Sequence, residues 1–236
     1  MEKDSHIVVG IEGLVGAGKT ALCKELIGIL PNSILLHGGK LYRAIVYAIL
    51  SSGIELSDLK TLATGKDIKQ WMDYLKIEIK IENNESKIYR DGKEINEEKI
   101  QSEQSSMAVS IVAKEANNIS LYQFGEKLIN MYKKEHNVIV SGRDLMKIYP
   151  KLDYHFLIVA SLEERIRRKN IQYEGKIAQE QLKKHIQERD FLQKESGFYK
   201  KYDNTILLDV TDCNDALESA QKVIQIIKKG KEENGI

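Results

Sequence analysis

The chain has 236 residues, 42% apolar and 30% charged, and its 36 basic and 35 acidic side chains leave a formal net charge of +1. That length suits one α/β domain with an insertion and is short for two, and the near-neutral balance gives no electrostatic case for nucleic acid or an acidic membrane. No window approaches the roughly 18 apolar residues of a membrane span, and the polar opening residues lack a signal peptide's apolar stretch. Two distant thiols, Cys23 and Cys213, read as reduced packing residues of a cytoplasmic protein. The expected partner is a small molecule and the expected state a monomer.

The run Ile7-Val8-Val9-Gly10-Ile11 predicts a buried strand. It leads into Gly13-Leu14-Val15-Gly16-Ala17-Gly18-Lys19-Thr20, a full match to G-x-x-x-x-G-K-[ST], after which Leu22, Leu26, Ile29 and Leu30 share one helix face. Strand, glycine loop and helix together form a phosphate cradle: the glycines turn backbone N–H groups toward the anion, and the helix start adds partial positive charge. The motif therefore predicts binding of a nucleoside triphosphate with Mg²⁺. Lys19 is expected to reach the β- and γ-phosphates, and the Thr20 hydroxyl to ligate the metal.

Ser33-Ile34-Leu35-Leu36 predicts a second strand ending at His37-Gly38-Gly39, and Leu41 to Leu50 has helical periodicity. Leu56 to Tyr74 carries expected helices, with Trp71 as a packing residue. From Lys76 to Glu82 charged and apolar residues alternate, the period of a half-exposed antiparallel strand. Asn83-Asn84 and Asp91-Gly92 supply turns on either side of a second strand at Lys87-Ile88-Tyr89-Arg90. This unit, residues 75–96, does not suit a parallel sheet and is placed as an insertion. Helices from about Glu98 to Lys134 lead back to the core.

Asn137 to Ser141 predicts a strand ending at Gly142-Arg143-Asp144, and Tyr154 to Ala160 another ending at Ser161, which with Glu163 and Glu164 marks a helix start. A charged helical stretch, Lys176 to Glu195, precedes a last strand, Thr205 to Asp209, and an amphipathic helix, Asn214 to Lys229. Five strands alternating with helices predict a single α/β domain over 1–236, a five-stranded parallel sheet covered on both faces. Ligands then bind beyond the strands' carboxyl ends, where His37, the Gly142-Arg143-Asp144 turn and Ser161 fall.

Lysine outnumbers arginine 29 to 7, yet Arg165, Arg167 and Arg168 cluster, and Arg143 and Arg189 each adjoin an aspartate. Arginine's planar fork suits phosphate in a way lysine cannot copy, so these positions read as phosphate contacts. Residues 165–195 read as a helical lid. Asp144 is placed to orient the acceptor or the metal's water shell. No general base is needed if the attacking group is itself a phosphate anion.

With these residues in view, the chain resembles the bacterial cytidylate kinases, P-loop nucleoside monophosphate kinases, over nearly its whole length. Ile11-Glu12-Gly13 with the glycine loop is similar to the family's I-D-G-P-x-G-x-G-K-[ST], and Gly39-Lys40-Leu41-Tyr42-Arg43-Ala44 to its D-[ST]-G-x-x-Y-R-A. Val109-Ser110-Ile111-Val112-Ala113, Gly142-Arg143-Asp144, Ser161 to Arg165 and Glu188-Arg189-Asp190 resemble its V-S-x-V-A, G-R-D, S-x-E-E-R and E-R-D. The resemblance implies transfer of the γ-phosphate of ATP to CMP or dCMP. Gly39, Tyr42, Arg43, Ser110, Arg143 and Asp144 would then hold the acceptor. Lys19, Arg143, Asp144, Arg165 and Arg189 would carry the transfer, with Arg167 on the ATP side. From the residues alone, Tyr42 either stacks on a base or packs the core.

The departures gather on the acceptor side. His37 and Gly38 replace an aspartate and a Ser or Thr, Gln193 and Ser196 replace an aspartate and an arginine, and Leu145-Met146-Lys147 lacks the usual Gly-Thr. No arginine lies between Arg90 and Arg143, so Lys114 or Lys127 is the available cation there. Two alternatives follow: the same transfer to another small acceptor, or a non-catalytic nucleotide sensor. Lys19, Thr20 and Asp144 argue against the sensor.

Overall fold

The computed structural model describes residues 6–53, 68–95 and 119–233. The expected helices before Ile68 and between Glu98 and Ile119, the residues Ser110 and Lys114, and the Trp71 side chain lie outside what it describes.

The chain opens on β1 (Val8–Gly13), buried along its whole length, and α1 (Lys19–Ile29), which buries Leu22, Cys23 and Leu26. β2 (Ser33–His37) is also buried throughout and is followed by α2 (Gly38–Ser51) and α3 (Ile68–Leu75). β3 (Ile77–Glu82), β4 (Glu85–Arg90) and the short β5 (Lys93–Glu94) form an antiparallel unit. Then come α4 (Ile119–Lys133), β6 (Asn137–Ser141), α5 (Leu145–Ile148) and β7 (Tyr154–Val159). α6 (Leu162–Gln172), α7 (Gln179–Glu195), β8 (Thr205–Asp209) and α8 (Ala216–Glu233) complete it.

β2, β6, β1, β7 and β8 pair in parallel in that order, the five expected core strands. The sheet itself has eight strands rather than five. β4 joins β2 in parallel at Leu35 and Glu85, the Leu35 amide donates to the Asn84 carbonyl at 2.7 Å, and β3 and β5 attach to β4. The insertion thus extends the sheet. The physical reason is the outer edge of β2, a buried strand whose backbone groups need partners. Inside the unit the sequence pattern holds. Ile77 and Ile79 are buried while Glu78 and Lys80 are exposed. Asn83-Asn84 and Asp91-Gly92 both take positive φ, as two-residue hairpin turns demand.

Alternation along the parallel strands sends side chains to opposite faces. Val8, Ile34, Leu36, Val138 and Val140 join a core under α2, α3 and α4, whereas Val9, Leu35, Ile139 and Phe156 join one under α1 and α8. Leu22 and Leu26 of α1 share that second core with Val223 and Ile227 of α8. Truncating either leucine to alanine should cost about 2–5 kcal/mol. Both cysteines are free and buried there, Cys23 with its thiol pushed up to about 12 by burial. Among the described residues no helix is long and apolar enough to cross a membrane.

The chain leaves β1 through α1 to β2 on one side, and runs through β7 to β8 on the other. At such a reversal the two connections diverge and leave a crevice at the carboxyl end of the central strand. Gly13, the last residue of β1, stands at that crevice.

Candidate functional site

At the end of β1 the Leu14 amide donates to the Ile158 carbonyl at 3.1 Å, and the Ala17 amide returns to Leu14 O at 3.2 Å, which closes the loop. Gly16 and Gly18 have φ of 81° and 89°, a left-handed conformation that a Cβ disfavours. Gly18 caps α1 without a side-chain hydrogen bond, and the first turn holds no acidic residue. The first N–H groups of α1 are therefore left to an external anion. Thr20 is exposed in that first turn. The loop floors a cleft of about 830 Å³ whose walls include Arg143, Arg167, Arg189 and Gln193.

Positive charge converges on this cleft. Burial holds the Lys19 ammonium below its usual range, and the Arg143 charge and, further off, Arg189 push the same way. Arg143 is lowered from the ordinary arginine range by burial, with Arg189 and Arg43 adding repulsion. Among the described residues none of Lys19, Arg43, Arg143 and Arg189 has a hydrogen bond or ion pair to an acidic group. Arg143 rests its guanidinium face on the Phe198 ring, 5.6 Å from the centroid, which leaves its edge donors for an anion.

The other arginines of the cluster are tied to protein groups. Arg165 is buried; its Nη1 donates to the Val15 carbonyl at 3.2 Å and also to the Asp190 carboxylate. Arg168 donates to the carbonyls of Ala17 at 2.8 Å and Val210 at 2.7 Å. Arg167, on the outer side of α6, makes a two-pronged pair with Glu164 at 2.7 Å on each arm. Hydrogen bonds from Arg167, then Arg168, draw the Glu164 carboxyl down to about 2. Ser161 caps α6 as expected, its hydroxyl accepting the Glu164 amide at 3.2 Å.

Asp144 lies beside Arg143 with φ of 57°, accepting from the Tyr122 hydroxyl at 2.9 Å and the Lys147 ammonium at 3.0 Å. Gly39, Tyr42 and Arg43 sit on α2. Tyr42 packs against the first core, its hydroxyl pushed up to about 12 by burial. His37 bonds to Glu85 at 2.8 Å, a structural pairing, beside a smaller cavity of about 390 Å³ between α2 and β4. Gln193 is buried and accepts the Tyr199 hydroxyl, and Ser196 turns its hydroxyl back to Leu192 O at 2.7 Å. Neither of these two residues presents a charge to the cleft.

Asp190 and Tyr199, and the buried Glu12 with His155 Nε2 3.4 Å away, were not singled out as site residues by sequence reasoning. For Glu12 and His155 a signal existed, a charged or titratable side chain inside an otherwise apolar strand. For Tyr199 none did, because its place follows from the loop after α7.

The model of the family described as cytidylate kinase matches residues 9–229. A cytidylate kinase of Bacillus licheniformis is 28% identical over 236 residues, covering 97% of this chain and 98% of its own. One of Clostridium botulinum strain Loch Maree is 29% identical over 95% of this chain and 99% of its own. One of Clostridioides difficile is 33% identical over 70% of this chain and 69% of its own. The family match runs from the strand before the phosphate loop to the last helix and spans Lys19, Arg143 and Arg189. The chain is a kinase and belongs to the cytidylate kinase family.

Proposed function

We propose that the protein transfers the γ-phosphate of ATP to CMP or dCMP, forming ADP and the diphosphate. The observation that carries the reading is the convergence of Lys19, Arg143 and Arg189 on one cleft above the phosphate loop, with no paired acid among the described residues. Such a cluster is costly unless an anion enters it. In this reading the N–H groups of Gly13 to Thr20 and Lys19 cradle the donor phosphates, while Arg43, Arg143 and Asp144 hold the acceptor. An acceptor phosphate oxygen attacks the γ-phosphorus, the bond to the bridging β,γ-oxygen breaks, and ADP departs with that electron pair.

Mg²⁺, when bound, would draw charge from the β- and γ-oxygens. Among the described residues no cluster of three or more His, Cys, Asp or Glu could hold a metal. The donor set fits an ion kept by the Thr20 hydroxyl, nucleotide oxygens and water. Residues 165–195 are read as the lid, with Arg189 closing on the transferring group and Arg165 bracing the loop through Val15.

The direct test is to incubate the protein with ATP, Mg²⁺ and CMP and follow products by phosphorus NMR. Equal amounts of ADP and CDP are expected. ADP without CDP contradicts the acceptor assignment, and neither product contradicts transfer to CMP.

A second reading keeps the transfer but changes the phosphate-bearing acceptor. The neutral Gln193–Tyr199 pair and the withdrawn Ser196 favour it, because that wall offers no charge to the acceptor.

A further inference from the structure

Among the described residues Glu12 is the only buried carboxylate, and His155 is buried more deeply still. Glu12 immediately precedes the phosphate loop. Its Oε1 accepts the Leu145 amide at 2.7 Å. Leu145 is the first residue of α5, directly after Arg143 and Asp144, so this bond ties the Gly142-Arg143-Asp144 turn to the end of β1. The same oxygen lies 3.4 Å from His155 Nε2, a buried nitrogen with no hydrogen bond of its own.

The ring's proton can be placed by counting donors and acceptors. His155 Nδ1 is 2.9 Å from Thr205 Oγ1. That oxygen accepts the Tyr202 amide at 2.8 Å and keeps its own proton, which it can give to Nδ1. With the Glu12 carboxylate facing the other ring nitrogen at 3.4 Å, the favoured tautomer carries its proton on Nε2. At 3.4 Å, without hydrogen-bond geometry, the Nε2–H dipole attracts the carboxylate through space. Glu12 Oε1 is thus held between the Leu145 amide and the His155 ring. Its negative charge also acts on both Lys19 and Arg143, which otherwise belong to opposite halves of the cleft.

We infer that Glu12 is a positioning residue of the transfer reaction: a buried anion, aligned by His155, that holds the Arg143–Asp144 turn against the phosphate loop and balances Lys19 and Arg143. The inference rests on reading the cleft as the phosphate site. Two consequences separate it from plain packing. Removing the charge while keeping the shape should raise the positive potential at the cations and tighten nucleotide binding, because the carboxylate offsets part of the charge that phosphate meets. It should also slow transfer, because the turn loses its alignment, by roughly 10- to 100-fold, the range typical of outer-shell partners.

The variants are Glu12→Gln, which keeps an oxygen for the Leu145 amide, and Glu12→Asp, which keeps the charge but loses reach. Calorimetric titration with ADP and steady-state kcat and KM with ATP and CMP are measured on the full chain. Glu12→Gln is expected to bind ADP roughly 3- to 10-fold tighter with kcat reduced; Glu12→Asp is expected to keep ADP affinity and lose kcat. Weaker ADP binding by Glu12→Gln, or an unchanged kcat in either variant, overturns the inference. Should Glu12→Gln not fold, the kcat of Glu12→Asp decides. Should wild type transfer nothing to CMP, ADP affinity alone decides: tighter binding by Glu12→Gln supports the role, and equal or weaker binding overturns it.

Discussion

Asp190 of α7 joins Val15 of the phosphate loop: one carboxylate oxygen accepts the Val15 amide at 3.2 Å while the other accepts from Arg165, which itself donates to the Val15 carbonyl. A single residue of the loop is thereby clamped from both its N–H and its C=O. If residues 165–195 act as the proposed lid, this clamp is what ties the lid to the phosphate loop. Asp190→Asn keeps one acceptor but removes the charge that faces Arg165. Hydrogen exchange over 165–195 should then speed up in ligand-free protein and slow on addition of a bisubstrate analogue. Equal protection in wild type with and without the analogue would contradict the lid reading.

Lys19 is the most direct test of the donor side. Lys19→Ala should lower kcat by roughly 10²–10³-fold, since the ammonium stabilises charge that grows on the transferring phosphate. Circular dichroism and melting temperature should stay close to wild type, because the side chain lies in the cleft rather than in either core. Near wild-type turnover in this variant contradicts the phosphate-loop assignment.

The depressed ionisation of Lys19 gives a pH signature. Burial and the Arg143 charge hold the ammonium below the ordinary 10.5, and a bound phosphate reverses that push. The protonated form is the one that serves transfer. As pH rises, kcat/KM for ATP, which reports the free enzyme, should therefore fall earlier than kcat, which reports the complex. Two limbs that coincide near 10.5 would show that the cluster does not act on Lys19.

Glu164 carries the acid-side stability of α6. Its carboxyl sits at about 2, below the 4.5 of an ordinary glutamate, because Arg167 and Arg168 bond to the ionised form. The stabilisation is complete above pH 4.5 and is lost as pH falls from there through about 2. The urea midpoint of wild type should drop across that window, and Glu164→Gln should show a shallower drop. Parallel slopes would mean the pair contributes nothing, as many exposed pairs do not.

The fold was legible where local chemistry decides it. The period-2 run from Lys76 to Glu82 and the two hairpin turns follow from residue types alone. The docking of β4 on β2 does not, because it depends on one long-range backbone pairing, Leu35 with Glu85. The loop's conformation was readable from Gly13 to Thr20. The roles of the arginines were less so. Arg143 and Arg189 face the cleft, whereas Arg165 and Arg168 hold backbone carbonyls, and residue type cannot tell a guanidinium's two uses apart. Glu12 and His155 meet only through the pairing of β1 with β7.

The altered wall of the cleft yields its own test. Gln193→Asp with Ser196→Arg restores the charges the family resemblance expects. If CMP is the acceptor, the double variant should lower KM for CMP by roughly tenfold, the worth of about 1.4 kcal/mol from a charged hydrogen bond. If the pocket serves another acceptor, CMP turnover should stay flat while the native activity falls.

Acceptor choice is measured by comparing kcat/KM of the wild-type protein, with ATP and Mg²⁺, across CMP, dCMP, UMP, AMP, GMP and common phosphorylated metabolites in a coupled ADP assay. CMP or dCMP should stand at the top of that ranking, ahead of the purine monophosphates by at least about 100-fold, as expected of a site that leaves buried polar groups unpaired when the wrong base enters. A higher kcat/KM for an acceptor other than a cytidine monophosphate, or ATP binding with no transfer to any of them, would contradict it.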